Sequence, residues 1–115
     1  MAMKVSNIFA VGVMALASAA LLSTVALAGN KHVGEALTHA QEAVDHGKQG
    51  HADVVSKHAG EALKHAEMAQ KDMKNPHLDE GIKGLKDAVK HGNAGHAAEA
   101  TKAAESAVMH ISEAK

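Results

Sequence analysis

Apolar residues recur along the chain in four segments with the spacing of amphipathic helices. In the first segment Val33, Leu37, Ala40 and Val44 follow an i, i+4, i+7, i+11 pattern, which places them on one helical face. This pattern predicts helices at about residues 31–46, 51–74, 77–91 and 96–114. The stripes of the other segments are Val55, Ala59, Ala62, Ala66, Ala69 and Met73; Leu78, Ile82, Leu85 and Val89; and Ala100, Ala104, Ala107, Ile111 and Ala114.

Helix breaks divide these segments into two similar halves. Pro76 cannot continue the second helix, and Gly47 and Gly92 are predicted to be left-handed residues at helix C-termini. An offset of 45 residues aligns 32–70 with 77–115 without a gap, with 14 identities in 39 positions, including the turns His-Gly-Lys-Gln-Gly-His and His-Gly-Asn-Ala-Gly-His. We interpret the halves as two copies of one helical hairpin.

Short connectors make consecutive helices antiparallel neighbours, so the predicted fold is all-α, an up-down-up-down four-helix bundle. The predicted core is rich in Ala, and Gly34, Gly60, Gly81 and Gly84 each weaken a helix by ~1 kcal/mol relative to Ala. A small domain with such a core is marginally stable, so the sequence also predicts a bundle that is loose without a ligand.

The first 28 residues have the pattern of a secretory signal peptide. Lys4 precedes an apolar stretch from Ile8 to Leu22, and Ala26-Leu27-Ala28 forms an A-x-A cleavage site. The predicted mature domain is therefore 29–115, exported and, in a bacterium, periplasmic. No other segment is apolar enough to span a membrane, so no membrane association is expected after cleavage.

Ten histidines occupy the predicted domain, and six of the nine gaps between them are 7 or 14 residues. A spacing of seven keeps side chains on one helical face, here at the margin of the apolar stripe. Imidazole is a good ligand for divalent transition metals. The candidate metal ligands are His32, His39, His46, His51, His58, His65, His77, His91, His96 and His110.

Carboxylates accompany several of these histidines. An acid precedes His by four residues in the pairs Glu35/His39, Glu42/His46, Glu61/His65 and Asp87/His91, and residues so spaced are neighbours on a helix. Each pair alone is better explained as a solvated surface contact, but the set as a whole favours Glu35, Glu42 and Glu61 as further ligands. The two turns carry His at both ends, so His46/His51 and His91/His96 are each predicted to close on one ion.

Composition excludes several function classes. The chain has no Cys, and its single Phe, Phe9, lies in the predicted leader, so disulfides, thiolate sites and aromatic stacking platforms are excluded. A formal net charge of −1 and the absence of Arg argue against nucleic-acid binding. No haem motif, nucleotide motif or calcium loop is present, and no enzymatic activity is expected. Scattered Met68, Met73 and Met109 are interpreted as packing residues.

The imperfect seven-residue repeats resemble those of the small periplasmic metal-binding proteins of ammonia-oxidising bacteria, the SmbP-like family. The resemblance covers the predicted domain and rests on EALTHAQEAVDHG, GEALKHAE, GIKGLKDAVKHG and the following Gly95-His96. It implies a helical, monomeric protein that binds several divalent ions, prominently Cu(II), and serves copper handling. The family pattern carries His at the places occupied here by Gly84 and Ala103, so its full stoichiometry is not carried over.

Imidazole and carboxylate without thiol suit Cu(II), Ni(II), Zn(II) and Co(II), with Cu(II) tightest in the Irving–Williams order. The leading hypothesis is therefore a periplasmic buffer for several such ions, used in copper handling or detoxification. The alternative is a bundle that folds when metal arrives, acting as a sensor or interaction module. With six His in the first unit and four in the second, the first is expected to bind more metal, or to bind it more tightly.

Overall fold

The computed structural model describes residues 30–114 as four α-helices. These are α1 (Lys31–Lys48), α2 (Ala52–Asp72), α3 (Pro76–Asn93) and α4 (Ala97–Ser112), with no strand within that range. The predicted all-α fold is confirmed, and each helix end lies within two residues of its predicted position. The predicted signal peptide at 1–28 lies outside the described residues and stays a prediction.

Equivalent asparagines begin the two hairpins. The Asn30 side chain accepts hydrogen bonds from the backbone N–H groups of His32, at 2.8 Å, and Val33, at 3.2 Å. Asn75, 45 residues later, accepts from the N–H of His77 at 2.8 Å, with Pro76 in the first turn. Such caps satisfy N–H groups that have no partner within the helix. The two hairpins therefore begin with the same capping residue.

The four helices pack in a ring. Helices α1 and α2 form the first hairpin and α3 and α4 the second, and further contacts join α2 to α3 and α1 to α4. The diagonal pair α2 and α4 touches only lightly. This arrangement is the predicted four-helix bundle. Among the residues that the structure describes, no helix is long and apolar enough to cross a membrane.

Small residues dominate the core. The predicted stripes of α2 and α4 are buried as expected, apart from the half-buried Met73. In α1 the prediction was partly wrong, because Ala36 and Ala43 are buried while Val33 and Leu37 are only half-buried. At 100° per residue, this turns the buried face of α1 by about 45° towards the histidines. The imidazoles consequently lie at the edge of the buried surface.

The predicted role of two glycines was wrong. Gly47 and Gly92 lie inside helices, while the residues with positive φ are Gly50, at 83°, and Gly95, at 82°. A Cβ at Gly92 would lie 2.7 Å from the carbonyl oxygen of Ala52 in α2, and a Cβ at Gly47 would clash with Thr101 in α4. These two glycines therefore allow the two hairpins to approach closely.

Candidate metal centre

The six histidines of the first hairpin form one row in the groove between its helices. The rings alternate between α2, including its N-cap residue, and α1, and consecutive ring centroids are 5.3–6.0 Å apart. We call this row the imidazole ladder; in spatial order it comprises His51, His46, His58, His39, His65 and His32. Seven-residue spacing on two antiparallel helices explains the row, because each helix presents one ring every two turns.

A carboxylate joins the two rings at the open end of the ladder. Glu35 Oε1 lies 3.7 Å from His32 Nδ1 and 3.3 Å from His65 Nδ1, and the two nitrogens are 3.5 Å apart. His32, Glu35 and His65 each offer a ligand atom, and these atoms lie within 4.8 Å of one another. The side chains are 30%, 41% and 21% exposed, so this group is shallow and accessible.

A second group repeats this geometry one heptad further along. Glu42 Oε1 lies 3.2 Å from His39 Nδ1 and 3.4 Å from His58 Nδ1. Here too one ligand atom from each residue lies within 4.8 Å of the others. Each group combines two residues of α1 with one of α2, so an ion bound there would bridge the hairpin.

The second hairpin holds one such group, built differently. His77 of α3 and His110 of α4 have ring centroids 6.3 Å apart, and Glu113 Oε1 lies 3.2 Å from His77 Nδ1. These three residues form the third cluster of potential ligand atoms. Its carboxylate comes from the residue directly after α4, whereas Glu80, the sequence counterpart of Glu35, contacts Lys83 Nζ at 3.4 Å.

The two turns bring their paired histidines together in the same way. The ring centroids of His46 and His51 are 6.0 Å apart with planes tilted by 35°, and those of His91 and His96 are 6.2 Å apart and tilted by 36°. His51 and His96 are N-cap residues whose side chains make no capping hydrogen bond. Neither turn pair belongs to a cluster of three potential ligands among the described residues.

The donor atoms present suit a divalent transition metal. Two imidazoles that share an ion through bonds of ~2.0 Å place their ring centroids roughly 4.5–6.4 Å apart, and the observed spacings fall in this range. His39 Nδ1, His46 Nδ1 and His110 Nδ1 are buried without a hydrogen-bond partner. Buried polar atoms normally have a hydrogen-bond partner. These three nitrogens make no hydrogen bond that would compete with a bound ion.

The predicted pairing of acids with histidines was wrong in its partners. Glu35 and Glu42 contact the histidines three residues before them and those of α2, rather than the histidines four residues later. Glu61 contacts Lys64 Nζ at 3.2 Å, and it joins neither His65 nor any ligand cluster. Asp87 is exposed and likewise joins none.

Sequence reasoning also missed Glu113. Its signal was the spacing His-x-x-Glu, which relates His110 to Glu113 as it relates His32 to Glu35 and His39 to Glu42. The same spacing occurs at His58-Glu61, His77-Glu80 and His96-Glu99, and in none of these pairs do both residues belong to one cluster. The spacing therefore indicates possible ligand pairs, and a pair forms a cluster only where the neighbouring helix places a further histidine beside it.

Comparison with known families agrees with this geometry. The profile of the small metal-binding protein family matches residues 3–114. The chain belongs to this family. No curated protein matches it closely enough to add a more specific function. Membership confirms the resemblance seen in the sequence and establishes metal binding as the family property to which the His–Glu clusters correspond.

Proposed function

We propose that this protein is an exported carrier that binds several divalent transition-metal ions reversibly, Cu(II) most tightly, and buffers them in the periplasm for copper handling or detoxification. The observation that carries this proposal is the set of three clusters, each with two imidazole nitrogens and one carboxylate oxygen within 4.8 Å. Two belong to the first hairpin and one to the second, which supports binding of more than one ion per chain.

The donor set supports the choice of metal. Nitrogen and oxygen ligands without thiol suit Cu(II), Ni(II), Zn(II) and Co(II), and Cu(II) leads the affinity order. The exposed methionines, Met68 at 38% and Met109 at 64%, lie on different helices, α2 and α4, and are too few to form a Cu(I) site of thioether ligands. Carboxylates alternate with imidazoles instead of clustering, which disfavours Ca(II) and Mg(II).

The shallow position of the clusters supports a reversible carrier in preference to a closed structural metal site. Structural metal sites are closed by four protein ligands, whereas each cluster here offers three and has ligands 21–63% exposed. Water can complete the coordination and exchange, which favours uptake and release.

The site of action and the oligomeric state rest on other grounds. Export rests on the charged start, apolar stretch and A-x-A site of residues 1–28, which lie outside the described residues. A monomer is consistent with sites that are each completed within one hairpin, because no second molecule is needed to bring the three ligands together.

The test is calorimetric titration with Cu(II) at about pH 7 and again at about pH 5, with Mg(II) as the negative control. Protonated imidazole cannot bind metal, so we expect uptake of several ions at the higher pH and its loss at the lower one. Replacing His46, His51, His91 and His96 with Ala should retain about three ions, one per cluster, if these clusters are the tight sites. Absence of Cu(II) uptake by the natural protein would refute the proposal.

Circular dichroism during the same titration separates the carrier from a metal-dependent folding module. A carrier is helical before metal is added and gains little helix on binding. A folding module would instead gain most of its helix as the ions bind, since the binding energy would then drive folding.

A further inference from the structure

The imidazole ladder of the first hairpin is continuous. The second hairpin has histidine pairs only at the positions that correspond to the two ends of the ladder. His77/His110 and His91/His96 are the counterparts of His32/His65 and His46/His51. The two middle rungs, His39 and His58, correspond to Gly84 and Ala103. Three separate ring pairs would use six imidazoles without bringing one pair close to the next, whereas here every interior ring has two ring neighbours.

The ladder can be divided into ring pairs in two ways. The pairs His32/His65 and His39/His58 carry a carboxylate, Glu35 or Glu42, and His46/His51 closes the row at the turn. The intervening pairs are His65/His39, at 5.8 Å, and His58/His46, at 5.3 Å. All five spacings suit two rings that share one ion, roughly 4.5–6.4 Å.

We propose that the ladder is a track along which a bound divalent transition-metal ion migrates between three resting positions without leaving the protein. The resting positions are the two His–Glu clusters and the turn pair, and the intervening pairs are the transfer positions. This inference rests on the proposed function, because it assumes that the clusters bind metal, and it adds a mode of movement between them.

Each transfer is a ligand exchange with no change in the charge or oxidation state of the ion. An ion at the first cluster keeps its bond to His65, releases His32 and Glu35, and binds His39. It then releases His65 and binds His58 and Glu42, which completes the second cluster. The same two exchanges through His46 bring it to the turn. Resting positions lie about 10 Å apart, one heptad of helix.

Unpartnered nitrogens support this path. The Nδ1 atoms of His39 and His46 are buried and have no hydrogen-bond partner, and both rings belong to transfer pairs. His39 Nδ1 lies 3.2 Å from Glu42 Oε1 but not in hydrogen-bonding alignment. No protein hydrogen bond at these nitrogens therefore has to break before they accept an ion.

The second hairpin lacks such a path. His77 and His91 are 14 residues apart on α3, about 21 Å along the helix. Between them, a Cβ at Gly84 would lie 3.2 Å from the carbonyl oxygen of Ala103 and 3.2 Å from Ala107 N, so the helices meet where the middle rungs would stand. An ion at either end must dissociate before it reaches the other.

The test measures exchange of Zn(II) within the protein by NMR. With about one Zn(II) per chain, exchange spectroscopy of the histidine ring protons gives the rate at which the ion moves between rings, and capture by an added chelator gives its rate of loss. We expect exchange among ladder rings to be faster than loss and independent of protein concentration. Exchange between the two ends of the second hairpin should not exceed loss.

The decisive variant combines His39→Gly with His58→Ala, which gives the first hairpin the pattern of the second. Exchange between the His32/His65 end and the turn should fall to the rate of loss, while Zn(II) binding at the ends persists. The control, His91→Ala with His96→Ala, should leave ladder exchange unchanged. Circular dichroism shows whether the glycine at position 39 unfolds α1. If it does, the variant His39→Ala with His58→Ala is used for the same measurement.

The outcomes separate the two proposals. Ladder exchange that equals loss in the natural protein, or that survives removal of both middle rungs, overturns the track but leaves metal binding intact. Absence of any Zn(II)-dependent change in the histidine signals, together with absence of Cu(II) uptake, overturns the proposed function itself.

Discussion

The two hairpins share 14 identities in 39 aligned positions but differ in what they bury. Three of the four largest fully buried side chains, Leu78, Leu85 and Ile111, belong to the second hairpin. At the equivalent positions the first hairpin has Val33, Ala40 and Ala66. Burial of large apolar side chains is the main stabilising term in folding, so we expect single side chains of the second hairpin to contribute more to stability than their counterparts in the first.

The distribution of imidazoles runs in the opposite direction. The first hairpin has six in a continuous row, whereas the second has four in two separated pairs and closes at Gly84, where the middle rungs would stand. The difference teaches that two hairpins of similar sequence can differ in role. The first carries more of the candidate metal ligands, and the second carries more of the large buried side chains.

The largest expected effect follows from the core. Leu85→Ala gives the second hairpin the residue that the first has at Ala40, and it should lower the free energy of unfolding by about 2–5 kcal/mol, because a buried Leu leaves a cavity. Leu37→Ala, at a half-buried position of the first hairpin, should cost less. Urea unfolding of the metal-free variants measures both. Equal losses would contradict the division of roles.

A smaller loss of stability is expected from a substitution at Gly84, where the helices of the second hairpin pack closely. Gly84→His restores an imidazole at the position of His39, but its Cβ would lie 3.2 Å from Ala103 O and from Ala107 N. The helices must part, and we expect a loss of about 1–3 kcal/mol in thermal unfolding of the metal-free protein. Gly60→His, where a Cβ meets nothing within 4 Å, is the matched control and should be neutral or slightly stabilising.

The fold was largely predictable from the sequence because its signals are local. Apolar spacing gives the helices, Pro76 gives the break between hairpins, and the duplicated turns give the antiparallel order. The close contacts of Gly47 and Gly92 were not predictable, because they depend on Thr101 and Ala52 of other helices. From sequence alone, a glycine near a helix end has the same appearance whether it serves a left-handed turn or a close approach.

The histidines of the site could be predicted from the sequence, whereas the partners of the carboxylates could not. Glu35 is adjacent both to His32 and to His39 on a helix, since neighbours lie three and four residues away. In the structure the Glu35 carboxylate lies between His32 and His65, a residue of α2, and this contact with the neighbouring helix could not be predicted from the sequence of α1. The imidazole ladder likewise depends on how α1 and α2 are aligned along each other, and the apolar pattern of a single helix does not specify that alignment.

The carboxylates provide the smallest and most local test. Glu35→Gln should weaken one site by on the order of 10–100-fold, because the carboxylate would lose its charge at a cluster of two imidazoles. Glu80→Gln alters the same position of the second hairpin, where the carboxylate contacts Lys83, and it should leave metal binding unchanged. Calorimetric titration with Cu(II) compares them. Equal weakening by both changes would show that Glu35 has no special role.

The most direct test of the central claim is a crystal structure of the metal-loaded protein with anomalous scattering recorded at the copper edge. The account predicts ions bridging α1 to α2 at His32/Glu35/His65 and His39/Glu42/His58, and one ion at His77/His110/Glu113 in the second hairpin. Ions held by single helices through acid–histidine pairs four residues apart, or ions shared between two molecules, would contradict it.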